Sequence, residues 1–112
     1  MNCLLLSAGF GKRLHPITIN KPKCLVEVQG RPLLEHWLHK LNNLNIEKIY
    51  INTYFLSEQV ENFVGNSEFN EKIVLLPESK LLGTAGTLIN NIKSFMQDDL
   101  LIIIQMIHWP IY

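Results

Sequence analysis

Residues 3–8, CLLLSA, are apolar almost without interruption and stop at Gly9. A strand of that composition has no polar face to give to water. It must be covered on both sides, as strands of a parallel sheet are. The rest of the chain supplies such a sheet. KIYINTYF (48–55), KIVLLP (72–77) and DLLIII (99–104) have strand composition, and CLVEV (24–28) predicts a short strand before a turn at Gly30. RPLLEHWLHKLNNL (31–44) places Leu33, Leu34, Trp37, Leu38 and Leu41 at helical spacing, with Pro32 suited to a first helical position. SEQVENFV (57–64) predicts a short helix with Ser57 as its N-cap. GTAGTLINNIKSF (83–95) predicts another, with Leu88, Ile92 and Phe95 on one face. Strands alternating with helices predict an α/β fold, a mostly parallel sheet with helices on both faces.

The 112 residues, 47% of them apolar, suit one small domain. Ten basic and ten acidic residues cancel, so no global field draws the chain to nucleic acid or to an anionic membrane, and neither is expected as a partner. Cys3 and Cys24 are too few for a disulfide framework and are expected as buried apolar residues in a reducing compartment. The N-terminus lacks the basic segment of a signal peptide, and Leu100 to Tyr112 is too short and too interrupted to span a bilayer. A cytoplasmic location is expected.

SAGFGKRLHPITINKPK (7–23) has neither helical period nor strand alternation, and it leaves the end of the first strand. Ligands of open parallel sheets gather beyond that end. A dinucleotide fingerprint needs a third glycine where Leu14 stands, and a helix that Pro16 and Pro22 prevent. A P-loop needs four residues between its glycines. The reading that fits is an anion loop. Gly9 and Gly11 let backbone amides approach phosphate oxygens, Lys12 and Arg13 add charge, and Lys23 returns a second cation. The plain alternative is a solvated basic loop.

These residues resemble the signature of the sugar-1-phosphate nucleotidyltransferases: an apolar strand, A-G-x-G-x-R-L-x-P-x-T, then P-K. Ala8, Gly9, Gly11, Arg13, Leu14, Pro16, Thr18, Pro22 and Lys23 match it. VQGRPLLEHWL (28–38) and PESKLLGTAGTL (77–88) continue the resemblance over about the first hundred residues. The resemblance implies a Rossmann-like sheet forming part of the family's catalytic domain, with residues 1–104 as its N-terminal nucleotide-binding part. It implies joining a nucleoside triphosphate to a sugar 1-phosphate, giving a nucleotide sugar and pyrophosphate, with Mg²⁺ bridging the phosphates. Arg13 and Lys23 would be catalytic, holding the leaving phosphates and the α-phosphate. Ala8, Gly9, Gly11 and Lys12 would contact the nucleotide, and Gly83, Thr84 and Ala85 would lie near the base. Glu78 is a weaker candidate for base or ribose, as are Asn52 and Thr53 for the pocket's border. His36 and His39 read as a solvated helix face.

The family's metal-binding aspartate follows the last strand. This chain reads QMIHWPIY there, so no metal ligand is assigned. Codons started at the third base of each present codon turn Met106–Ile107 into Asp, His108–Trp109 into Leu and Trp109–Pro110 into Ala. Residues 105–112 are therefore expected to be an out-of-frame tail, and catalysis by the chain as written is expected to be defective. The alternative is a non-catalytic nucleotide- or sugar-phosphate-binding module. A dinucleotide-dependent oxidoreductase is disfavoured by Leu14.

Overall fold

The apolar run at the start of the chain becomes an inner strand of the sheet. The computed structural model describes residues 1–8, 20–95 and 98–103. Its elements are β1 (Asn2–Leu6), β2 (Glu27–Val28), β3 (Arg31–Pro32), α1 (Leu33–Asn43), β4 (Ile49–Thr53), α2 (Ser57–Gly65), β5 (Ile73–Pro77), α3 (Gly83–Asn90), α4 (Ile92–Phe95) and β6 (Leu100–Ile103). β1 pairs in parallel with β4 on one side and β6 on the other, and β5 adds beyond β4. The order is β5-β4-β1-β6. The chain thus walks outward from β1 and then returns to lay β6 on β1's free side. That reversal is the switch point at which open parallel sheets take their ligands.

Alternate side chains of β1 and β4 explain why both faces had to be apolar. Cys3, Leu5, Ile49 and Ile51 pack under Leu33, Leu34, Leu38 and Leu41 of α1 and Val60 and Val64 of α2. Leu4, Leu6 and Tyr50 face the other way, against Phe95 of α4 and the half-buried Leu88 of α3. Tyr50 and Phe95 meet edge to face at 5.1 Å. The mostly parallel α/β architecture with helices on both faces is the one expected.

Several local expectations are corrected. Residues 24–28 are not one strand. Lys23–Leu25 form a 3₁₀ turn that buries Cys24 and Leu25. Only Glu27 and Val28 extend, pairing antiparallel with Arg31 and Pro32 outside the main sheet. Gln29 and Gly30 turn this ribbon with φ of 54° and 80°, the left-handed pair that matches strand twist. Pro32 therefore belongs to the ribbon, and α1 begins one residue later. Leu56, in left-handed backbone at φ 53°, holds the N-cap position of α2, so Ser57 is its first helical residue. The helix expected over 83–95 breaks at Asn91, whose side-chain amide donates to the Thr87 carbonyl at 2.9 Å. The break turns Ile92 outward, 50% exposed, while Phe95 stays buried. Trp37 packs at the edge of the core. The signature residues Gly9, Gly11, Lys12, Arg13, Leu14, Pro16 and Thr18 lie outside the described residues, as does the tail 105–112.

Both cysteines are free and buried. Burial pushes each thiol from 9.0 up to about 12, and for Cys24 a hydrogen bond with Ser7 opposes the shift only in part. The native state thus keeps protons that the unfolded chain releases above pH 9. Stability is full below pH 9 and falls as pH rises from there toward 12. Urea midpoints at pH 8 and pH 10 check this, with a lower value expected at pH 10. An equal fall between pH 8 and pH 10 in the Cys3→Ala/Cys24→Ala variant would assign the loss to other titrating groups.

Candidate functional site

Three strand ends converge on one cleft. β1 runs out through Ser7 and Ala8, both buried. β4 ends in Asn52 and Thr53, which are also buried polar residues. After β5 the Glu78 amide donates to the Thr53 carbonyl at 2.8 Å, which fixes where the chain leaves the sheet. It re-enters as α3 through Gly83 at φ 73°, a backbone that favours glycine. The 3₁₀ turn brings Lys23 up from below. The resulting cleft, about 220 Å³, is lined by Leu6, Ala8, Lys23, Asn52, Glu78, Leu81, Gly83 and Thr84.

Ala8, Lys23, Glu78, Gly83 and Thr84 are thus brought together from four separate stretches of sequence. Ala85 is exposed in the first turn of α3, beside the cleft lining rather than in it. Gly9, Gly11, Lys12 and Arg13 lie outside the described residues. His36 and His39 are elsewhere and are not merely solvated. His36 Nε2 donates to the Val28 carbonyl at 2.7 Å, and His39 stacks edge-on against Phe69 with Glu68 at 3.6 Å.

The cleft holds donors and positive charge. α3 has no acidic residue in its first turn and no side-chain cap, so its leading amides are open to a ligand. Lys23 is half-buried and has no ion pair among the described residues.

Beneath the floor runs a polar network that no sequence pattern announced. The Ser7 amide donates to Asn52 Oδ1 at 2.7 Å, and the Ser7 hydroxyl donates to the Asn52 carbonyl at 2.6 Å. Asn52 Nδ2 faces Glu78 Oε2 and Thr87 Oγ1, each at 3.4 Å. Thr87 donates to Glu78 Oε2 at 2.6 Å. Glu78 Oε1 is buried without a partner among the described residues. Ser7 and Thr87 were not foreseen. The available signal was a polar residue at the end of an apolar strand and another one turn inside a helix.

The described residues do not suit a divalent cation. No three His, Cys, Asp or Glu side chains among them converge, and the one carboxylate in the cleft lining, Glu78, is turned into the network.

The sequence matches the family model of the nucleotidyl transferases over residues 2–107. The chain belongs to that family. Among its relatives are the bifunctional protein GlmU of Methanococcus maripaludis strain C5, 38% identical over 103 residues, and mannose-1-phosphate guanylyltransferase 1 of Arabidopsis thaliana, 33% identical over 90. These alignments cover 92% and 79% of this chain but 24% and 25% of the relatives. The chain therefore spans about a quarter of their length. Solved nucleotidyl transferases carry the same fold. A Bacillus anthracis protein named for glucose-1-phosphate thymidylyl transfer superposes with a TM-score of 0.81 at 27% identity, over 93% of this chain and 43% of its own. CTP:phosphocholine cytidylyltransferase of Streptococcus pneumoniae superposes at 0.61 and 32% identity, over 70% of this chain and 33% of its own. The Rossmann-like assignment stands with them. No helix among the described residues is long and apolar enough to cross a membrane.

Proposed function

We propose that this chain forms the nucleotide-binding part of an enzyme that transfers a nucleotidyl group from a nucleoside triphosphate to a sugar 1-phosphate. One observation carries the reading: Ala8, Lys23 and the open start of α3 meet on one cleft beyond the strand ends. Two polyanions must be held together there, so binding and charge neutralisation supply most of the catalysis. A sugar-phosphate oxygen attacks the α-phosphorus in line, and pyrophosphate leaves with the broken bond's electron pair. Lys23 balances charge at the α-phosphate, and the α3 amides take phosphate or base oxygens. Arg13, Lys12, Gly9 and Gly11 complete the phosphate contacts by the sequence signature. Mg²⁺ would come with the triphosphate as part of the substrate and offset its charge, and no carboxylate set among the described residues would hold it.

For the base the reading favours guanine or uracil, from the resemblance of GTAG (83–86) to the family's turn near the base. Calorimetric titration with Mg·GTP, Mg·UTP and NAD⁺ tests this. Binding of GTP or UTP and no NAD⁺ binding are expected. A cooperatively folded chain that binds no triphosphate overturns the reading. NAD⁺ binding alone would revive the oxidoreductase. Pyrophosphate release from GTP or UTP with a panel of hexose 1-phosphates separates transfer from the alternative, binding without turnover.

A further inference from the structure

We infer that Asn52 is the positioning residue of the cleft, tying the root of the signature loop to the helix that faces it. The inference rests on the proposed polyphosphate cleft for its consequence, and on the hydrogen-bond geometry for its existence.

The pattern around Asn52 has only one consistent direction. The Ser7 amide must donate, so the atom 2.7 Å away is the side-chain oxygen. The side-chain nitrogen then faces Glu78 and Thr87. Both of its hydrogens have acceptors, and the Thr87 hydroxyl is left free to donate to Glu78 Oε2. In the reverse sense the Ser7 amide would meet the side-chain nitrogen and the Glu78 carboxylate would meet the side-chain oxygen, so both of those links would fail. One side chain thereby connects three segments that carry the cleft: Ser7 and Ala8 after β1, Glu78 after β5, and Thr87 one turn inside α3. Asn52 is itself 5% exposed and sits on an inner strand, so its own position is set by the sheet. Apart from Glu78 Oε1 its groups are paired, and a buried network so connected holds geometry more tightly than its separate bonds would. Held so, Ala8 and the first amides of α3 keep a fixed separation, and a bridging polyphosphate does not have to assemble it.

The test exchanges donor and acceptor. Asn52→Asp keeps the shape and the acceptor for Ser7 but sets a second carboxylate against Glu78, which like charges in a half-buried site resist. Adding Glu78→Gln restores one amide and one carboxylate in transposed places, with the original net charge. Inorganic tripolyphosphate is the probe, so that any base contact by Glu78 does not enter. On the full chain, N52D should weaken tripolyphosphate binding about tenfold. It should also move the amide NMR signals of both Ser7 and Thr87. N52D/E78Q should recover affinity to within about threefold and return both signals toward wild type.

Unmoved Ser7 and Thr87 signals in N52D, or a double variant that does not recover, overturn the inference. If N52D does not fold, Thr87→Val cuts the same junction with little change of volume. It should then shift the Ser7 signal, and silence at Ser7 overturns the inference. If wild type does not bind tripolyphosphate while the signals respond as stated, the cleft reading fails and the tie through Asn52 stands.

Discussion

Lys23→Gln is expected to weaken binding of a magnesium-bound nucleoside triphosphate by about 10- to 100-fold while leaving the melting temperature nearly unchanged. The size follows from a hydrogen bond to a charged group, about 1.5–3 kcal/mol. The split follows from the surroundings. Lys23 lines the cleft from a half-buried position, and no described carboxylate pairs with it. The native fold therefore draws no ion pair from its charge among the described residues, whereas a bound phosphate would supply one. What holds the 3₁₀ turn is backbone and apolar contact: the Leu25 amide donates to the Pro22 carbonyl at 2.9 Å, and Cys24 and Leu25 are buried. Lys23→Arg should keep part of the affinity, since charge remains while reach and geometry change. Titration calorimetry and thermal melts on the same samples decide it. Unchanged affinity would make the position of Lys23 incidental. A large fall in melting temperature would make it structural.

Leu5→Ala is the substitution expected to cost most stability. Leu5 is fully buried on β1, between β4 and β6, in the cluster capped by α1. Truncating such a leucine costs about 2–5 kcal/mol, because the cavity cannot collapse against paired strands. Domains of this size hold about 5–15 kcal/mol in all, so the variant should be partly unfolded or shifted far down in urea. Ile89→Ser is the contrast. Ile89 is 72% exposed on α3, and its loss should stay within about 0.5 kcal/mol. Equal urea midpoints for the two variants would put the core somewhere other than around β1.

What could be read from sequence was whatever leaves a period. CLLL declared a strand covered on both faces because no polar face was present to expose, and KIYINTYF declared a strand by its composition. α1 declared itself through Leu34, Leu38 and Leu41. Misreadings came where a short apolar run served a different backbone. Cys24 and Leu25 are as buried as strand residues, but Pro22 leads them into a 3₁₀ turn. Ile92 kept the helical spacing across Asn91, where the helix itself stops. Around the site, the motif stretches put Ala8, Lys23, Glu78, Gly83 and Thr84 in view one by one. That they share a wall is a product of strand order. The tie through Ser7, Asn52 and Thr87 had no signature at all. Its partners are 45 and 35 residues apart, and single polar residues at such separations carry no pattern.

The strand order also sets a timetable. β1 is made well before β6, and the register of the two, Asn2 against Leu100, joins nearly opposite ends of the described residues. At ribosomal rates of 5–20 residues per second, β1 waits about 5–20 s for that neighbour. During the wait β4 and β5 can already be in place under α1 and α2, while one flank of an all-apolar strand stays open. The nascent chain thus carries an exposed pairing edge throughout that wait, which is the interval in which a chaperone or a stray strand would find it.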